Sequence, residues 1–194
     1  MTILLAPPDL AGSKLVRFTV DQFDALAHAG LLDDHGRTEL RDGLVCEMAP
    51  QYVPHFWVKM ALFRALDRAL AAFAPLEAGI EVSLNAGRFE QPMPDIIVWT
   101  PHFTSGAIDP AHVRLVVEVS ETTQAQDLGR KRRVYARAGI AEYWAADIPG
   151  RTLHRFCDSD GDTYAKRDRI AFGELVSSVT IAGLEIETSA LTQH

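Results

Sequence analysis

At 194 residues, with 47 % apolar and 23 % charged side chains, the chain is long enough for one domain with its own core and too apolar to stay disordered. A net charge of −7 and a pI near 5.4 argue against a protein that coats nucleic acid by bulk attraction, while leaving room for a local basic groove. The apolar runs are far too short to cross a bilayer. Cys46 and Cys157 fit no metal-ligand spacing, so a reduced, cytoplasmic setting is expected.

The first residues carry no basic segment and too short an apolar run for a signal peptide. Residues 1–14 are expected to form a flexible tail, and 15–194 a single domain. Thr19 with Gln22 predicts a capping box, and Phe23, Leu26 and Ala27 continue a short amphipathic helix up to Gly30. Thr38 to Met48 alternates around Asp42-Gly43, a hairpin signal, with Glu39 on the first arm and Glu47 on the second. After Pro54, the spacing predicts a long helix from His55 to Phe73, with Val58, Leu62, Ala65, Leu66, Ala69 and Phe73 as its apolar stripe. His55 itself reads as an N-terminal helix residue with a satisfied ring.

Gly79 to Leu84 alternates as a strand, and Asn85 to Met93 is a polar loop. Two β-branched runs follow, Pro94-Asp95-Ile96-Ile97-Val98-Trp99 and Leu115-Val116-Val117-Glu118-Val119-Ser120, which read as buried strands. A helix is predicted from Ala125 to Ala138, stopped by Gly139. Glu142 to Asp147 is another strand. Thr152 to Cys157 and Thr163 to Arg167 flank the polar loop Asp158 to Asp162, and Ala171 to Thr188 holds short strand-like pieces. Strands before, between and after helices make one mixed α/β domain.

Most chemical motifs are missing. There is no phosphate-cradling glycine loop, no G-x-S-x-G and no H-E-x-x-H or C-x-x-C. Asp158 to Asp162 lacks the rest of a calcium loop and reads as a solvated hairpin tip. What remains is one carboxylate in each of two apolar strands, Asp95 and Glu118. Burying either costs several kcal/mol, on the order expected for an unpaired ion, unless something pairs with it. The following helix offers a cation. Leu128, Lys131, Val134, Tyr135 and Ala138 share one face, and Arg130, Arg133 and Arg137 share the solvated one. Lys131 is then either a snorkelling or salt-bridged lysine, or one aimed at the two carboxylates. Carboxylate oxygens suit Mg²⁺ or Mn²⁺. Two of them with an ammonium are the minimum kit for phosphodiester hydrolysis. Asp127 near a helix start is explained by the helix dipole, and Tyr135, Tyr143 and Trp144 read as core.

The order of these residues resembles a known family. Pro94-Asp95, then Glu118-Val119-Ser120, looks like the PD-(D/E)xK nuclease superfamily. More of the chain, about residues 19 to 157, resembles the Uma-type restriction-endonuclease family, first described as a domain of unknown function. The resemblance runs through Glu39 to Val45, Met48-Ala49-Pro50, His55, Pro94 to Val98, Val116 to Ser120, Thr123, Asp127, Lys131, Tyr135, Ala138-Gly139-Ile140 and Glu142-Tyr143-Trp144. It implies a restriction-endonuclease-like mixed central sheet flanked by helices, with Asp95 and Glu118 as ligands of Mg²⁺ or Mn²⁺. It further implies catalysis by Asp95, Glu118 and Lys131 with Glu39 assisting, and DNA as the partner. Where the superfamily has lysine two positions after Glu118, this chain has Ser120, so Lys131 is expected to supply the cation from the next helix. Asp95, Glu118 and Lys131 are expected to converge within a few Å, about one cation's reach. Cutting both strands of a duplex takes two sites, so a symmetric homodimer is expected. The rival readings are a non-enzymatic interaction protein that keeps the fold, and a hydrolase of another phosphodiester.

Overall fold

The computed structural model describes residues 15–102, 106–121 and 126–192. The expected N-terminal tail and Thr123 lie outside them. The first helix, α1 (Val20–His28), begins as predicted. The Thr19 hydroxyl accepts the Gln22 N–H, and the Gln22 side chain accepts the Thr19 N–H. β1 (Thr38–Arg41) and β2 (Leu44–Glu47) pair antiparallel across Asp42 and Gly43, both of which have positive φ, as a two-residue hairpin turn requires. α2 (Val53–Leu70) starts earlier than predicted. Pro54 sits in its first turn, where a missing N–H leaves no ladder bond unmade.

Two predicted elements are corrected. The strand read over Gly79–Leu84 is β3 (Glu77–Ile80), shifted towards the N-terminus. It stops because Glu81 takes φ 55°, a left-handed conformation that no ladder continues. Its carboxylate is paired there by Lys59 and Arg37. The continuous helix read over Ala125–Ala138 is a π-helical turn, Gln126–Lys131, followed by α3 (Arg132–Arg137). Gly129, a poor α-helix former, lies within the widened turn. The inward face survives. Val134 and Tyr135 are buried, and Leu128 and Ala138 pack on the same cluster.

The remaining strands are β4 (Ile96–Trp99), β5 (Val113–Ser120), β6 (Glu142–Asp147), β7 (Thr152–Ser159), β8 (Tyr164–Ala171), β9 (Leu175–Ser177) and β10 (Glu185–Glu187). β3 to β8 form one sheet in chain order. β5 and β6 run parallel, and the other neighbours run antiparallel. Each face of the sheet carries its own core, because side chains alternate along a strand. On one face Ile96, Val98, Leu115, Val117 and Trp144 meet Val58, Leu62 and Leu66 of α2 and the C-terminal segment. On the other, Ile97, Val116, Tyr143, Ala145 and Phe156 meet Val134, Tyr135 and Ala136 of α3. The chain is thus a mixed central sheet flanked by helices. No helix among the described residues is long and apolar enough to cross a membrane.

Candidate active site

Glu118 lies inside β5, whereas Asp95, expected inside a strand, stands one residue before β4. Ile96 pairs with Val117, so one further step sets Asp95 opposite Glu118. Both are buried, at 6 % and 2 % exposure. Glu118 shares its sheet face with Val116, the face covered by α3. The Lys131 ammonium lies 2.9 Å from Glu118 Oε2, and the Tyr135 hydroxyl donates to Glu118 Oε1. The inward face of the helix therefore delivers both groups to one carboxylate. Lys131 also acts on Asp95. Burial pushes the Asp95 carboxyl up, but the His55 hydrogen bond and charge, the Lys131 charge and the Val119 N–H together hold it below the ordinary value. Tyr135 was read as core. It is fully buried and also a site donor, because burial and the adjacent Glu118 charge push its hydroxyl well above the ordinary tyrosine value. The phenol keeps its proton and can only donate to a carboxylate.

Asp95 is held on several sides. Oδ2 accepts the Val119 N–H at 2.8 Å, beyond the last β4 partner on β5. His55 Nε2 lies 3.2 Å from the same oxygen, and Gln51 Nε2 donates to Oδ1 at 3.2 Å. Behind Gln51 stands Lys59, 3 % exposed, which donates to Gln51 Oε1 and to Glu81. Sequence reasoning missed Gln51 and Lys59 and gave His55 no role. A signal was present: His55, Lys59, Leu62 and Leu66 follow one another at helical spacing on the α2 stripe, so Lys59 is a second lysine on an apolar face.

Glu39 is 2 % exposed on β1. It accepts from Arg41 and from the Met93 N–H at 3.4 Å, and its charge is felt at Tyr135. The β1 strand is joined to the segment leading to Asp95 by paired backbone bonds between Leu40 and Gln91, 3.2 and 2.9 Å long. Arg130, expected on the solvated face, instead grips both Glu90 oxygens at 2.7 and 2.6 Å. Glu90 accepts the Asp42 N–H as well, so this pair ties the lysine-bearing turn to the hairpin. Arg133 and Arg137 are exposed, as expected.

Asp95, Glu118 and Glu39 are all buried carboxylates, a chemistry suited to a hard divalent cation. Among the described residues, no three His, Cys, Asp or Glu side chains are grouped closely enough to chelate one by themselves. A cation would thus lean on the Asp95–Glu118 pair and on water, as Mg²⁺ commonly does.

Tyr135→Phe removes one charge-assisted hydrogen bond from a buried carboxylate. It is expected to lower the unfolding free energy by about 1.5–3 kcal/mol, measured by urea denaturation. An unchanged midpoint would show that the hydroxyl does not hold Glu118.

A mixed sheet between helices, with two buried carboxylates opposite each other and a lysine between sheet and helix, defines a restriction-endonuclease-like α/β protein. The comparison with family models agrees. The chain belongs to the Uma2 family, described as "Putative restriction endonuclease", whose model matches residues 20–190. Among solved structures it is similar to the "crystal structure of a putative nuclease belonging to DUF820" from Anabaena variabilis, with a TM-score of 0.66 and 16 % identity over 90 % of this chain and 97 % of that one. At that identity the likeness shows the fold. No curated protein matches the chain.

Proposed function

We propose that this protein is a metal-dependent endonuclease that hydrolyses DNA phosphodiester bonds. The observation that carries the reading is Lys131: one half-buried ammonium lies 2.9 Å from Glu118 and also depresses the Asp95 carboxyl. Asp95 and Glu118 would hold Mg²⁺ or Mn²⁺, which when bound polarises a phosphoryl oxygen and lowers the pKa of its water. The chain's own residues do the rest. His55, Gln51 and the Val119 N–H fix Asp95 as an ionised carboxylate. Tyr135 orients Glu118 through a proton it does not give up. Lys131 stabilises charge developing on the scissile phosphate or orients the attacking water. Glu39 assists from the hairpin. Two such sites in a symmetric dimer would serve both strands of a duplex.

The test is nicking of supercoiled plasmid by the purified chain. Nicking is expected with Mg²⁺ or Mn²⁺ and none with EDTA, read on an agarose gel. Cleavage that persists in EDTA would remove the metal from this proposal. Competition by small nucleotides would instead favour a hydrolase of another phosphodiester. One observation favours the non-enzymatic reading: Glu118 already holds Lys131 and Tyr135, as a structural ion pair would. That reading requires calorimetry to find no binding of Mg²⁺ or Mn²⁺.

A further inference from the structure

The start of α2 presents two faces of opposite character. Inward, His55 contacts Asp95, and Val58, Lys59 and Leu62 are buried. Outward, Tyr52 is 67 % exposed, Val53 66 %, Phe56 46 % and Trp57 41 %. Tyr52 and Phe56 are one helical turn apart, as are Val53 and Trp57, so the four form a continuous strip. The Phe56 and Trp57 rings meet edge to face, with centroids 5.8 Å apart and planes at 70°. Three large aromatics left this exposed need a reason, since a contiguous apolar patch marks a binding surface.

Position and charge indicate the occupant. The strip is interleaved with Gln51 and His55, the two side chains that hold Asp95, so whatever lies on it lies beside the candidate active site. From Met48 to Leu66 the chain has no Asp or Glu, although it has 26 acidic residues in all. Of the cations in the same stretch, His55 faces Asp95 and Lys59 is buried against Glu81, so Arg64, which is exposed, and the α2 N-terminus supply the outward positive potential. The strip itself therefore carries no acidic side chain to repel a polyanion. The aromatic content is the second half of the match. A duplex buries the faces of its bases, whereas an unpaired strand offers them for stacking on aromatic side chains.

We propose that Tyr52, Phe56 and Trp57 form a stacking platform for unpaired nucleobases, so that the DNA strand delivered to Asp95 is locally unpaired where it meets the site. This rests on the nuclease reading for its purpose, but binding can be read without cleavage. The probe is a fluorescein-labelled oligodeoxythymidylate in Ca²⁺ buffer, followed by anisotropy and by Trp57 emission, with a blunt duplex as the comparison. Tyr52→Ala, Phe56→Ala and Trp57→Ala are each expected to weaken binding of the oligonucleotide roughly tenfold, the scale of one lost base stack. Duplex affinity should be unchanged, and Phe56→Tyr, which keeps a ring, should bind as the parent does. All three alanine variants alter exposed side chains, and thermal unfolding confirms that each is folded before it is measured. Equal binding by the parent and the triple alanine variant overturns the platform. So does a triple variant that turns a dimer into a monomer by light scattering while its oligonucleotide affinity holds, because the strip would then be covered by a second copy. If the parent binds the oligonucleotide through these rings yet never cleaves DNA, the nuclease reading fails and the platform stands.

Discussion

Asp95→Asn is expected to lower plasmid nicking by about 10²–10³-fold, the scale of removing one preorganised charged group from a reacting centre. The amide keeps an oxygen for the Val119 N–H, so β5 retains its end contact. Its NH₂, however, faces the donor of Gln51, and the negative charge that suits a cation is gone. The pH dependence has a definite sign. The Asp95 carboxyl lies below its ordinary value in the folded chain. Its contribution to stability is therefore complete above the unfolded value of about 3.9 and is lost as pH falls through the lower folded value. Acid denaturation of Asp95→Asn should lack that component, visible as a shallower loss of stability below about pH 4. Nicking at the parent rate in Asp95→Asn would end its assignment as a catalytic group. The non-enzymatic reading makes a contrasting claim: Lys131→Met would then cost more stability than Asp95→Asn, and neither chain would bind metal.

The largest expected effect on stability belongs to a residue outside the site. Glu142, fully buried on β6, accepts from Trp144 Nε1 at 2.7 Å on one oxygen. On the other it accepts the Ser178 hydroxyl at 2.7 Å, the Val179 and Thr180 N–H groups at 3.0 Å and the Thr180 hydroxyl at 2.8 Å. It fastens the C-terminal segment, including the buried Ile181 and Leu184, to the sheet. Glu142→Gln turns one acceptor into a donor that meets donors. With hydrogen bonds to charge worth about 1.5–3 kcal/mol each and not additive, the loss should be about 3–5 kcal/mol. Urea denaturation measures it, and a loss under about 1 kcal/mol would show that the segment is fastened by something else. The glutamate of the Glu142-Tyr143-Trp144 stretch is thus a structural clamp in this fold, with Tyr143 and Trp144 buried on opposite faces.

Much of this could be read from the chain alone. β-branched runs specify β4 and β5, and an acid just before the first and inside the second announces a partner. The 3.6 period of Leu128, Lys131, Val134 and Tyr135 specifies which lysine looks inward, even though the turn before α3 is π-helical and not α-helical. Periodicity survives that change because it reports which side of the chain is greasy, whatever the local ladder. The same reading overlooked Lys59 on the α2 stripe, and it treated Arg130 as solvated when it is clasped by Glu90.

Local pattern decides face and spacing, since both follow from the geometry of a single element. Which groups meet across 24 residues from Asp95 to Val119, 44 from Gln51 to Asp95 or 36 from Glu142 to Ser178 follows instead from strand register and from how helices settle on the sheet. Those pairings carry no periodic trace in the sequence. Tertiary structure alone set Asp95 opposite Glu118, placed His55 and Gln51 against Asp95, and gave Glu142 to the C-terminal segment, because a buried charge is satisfied by whichever donors packing brings within reach.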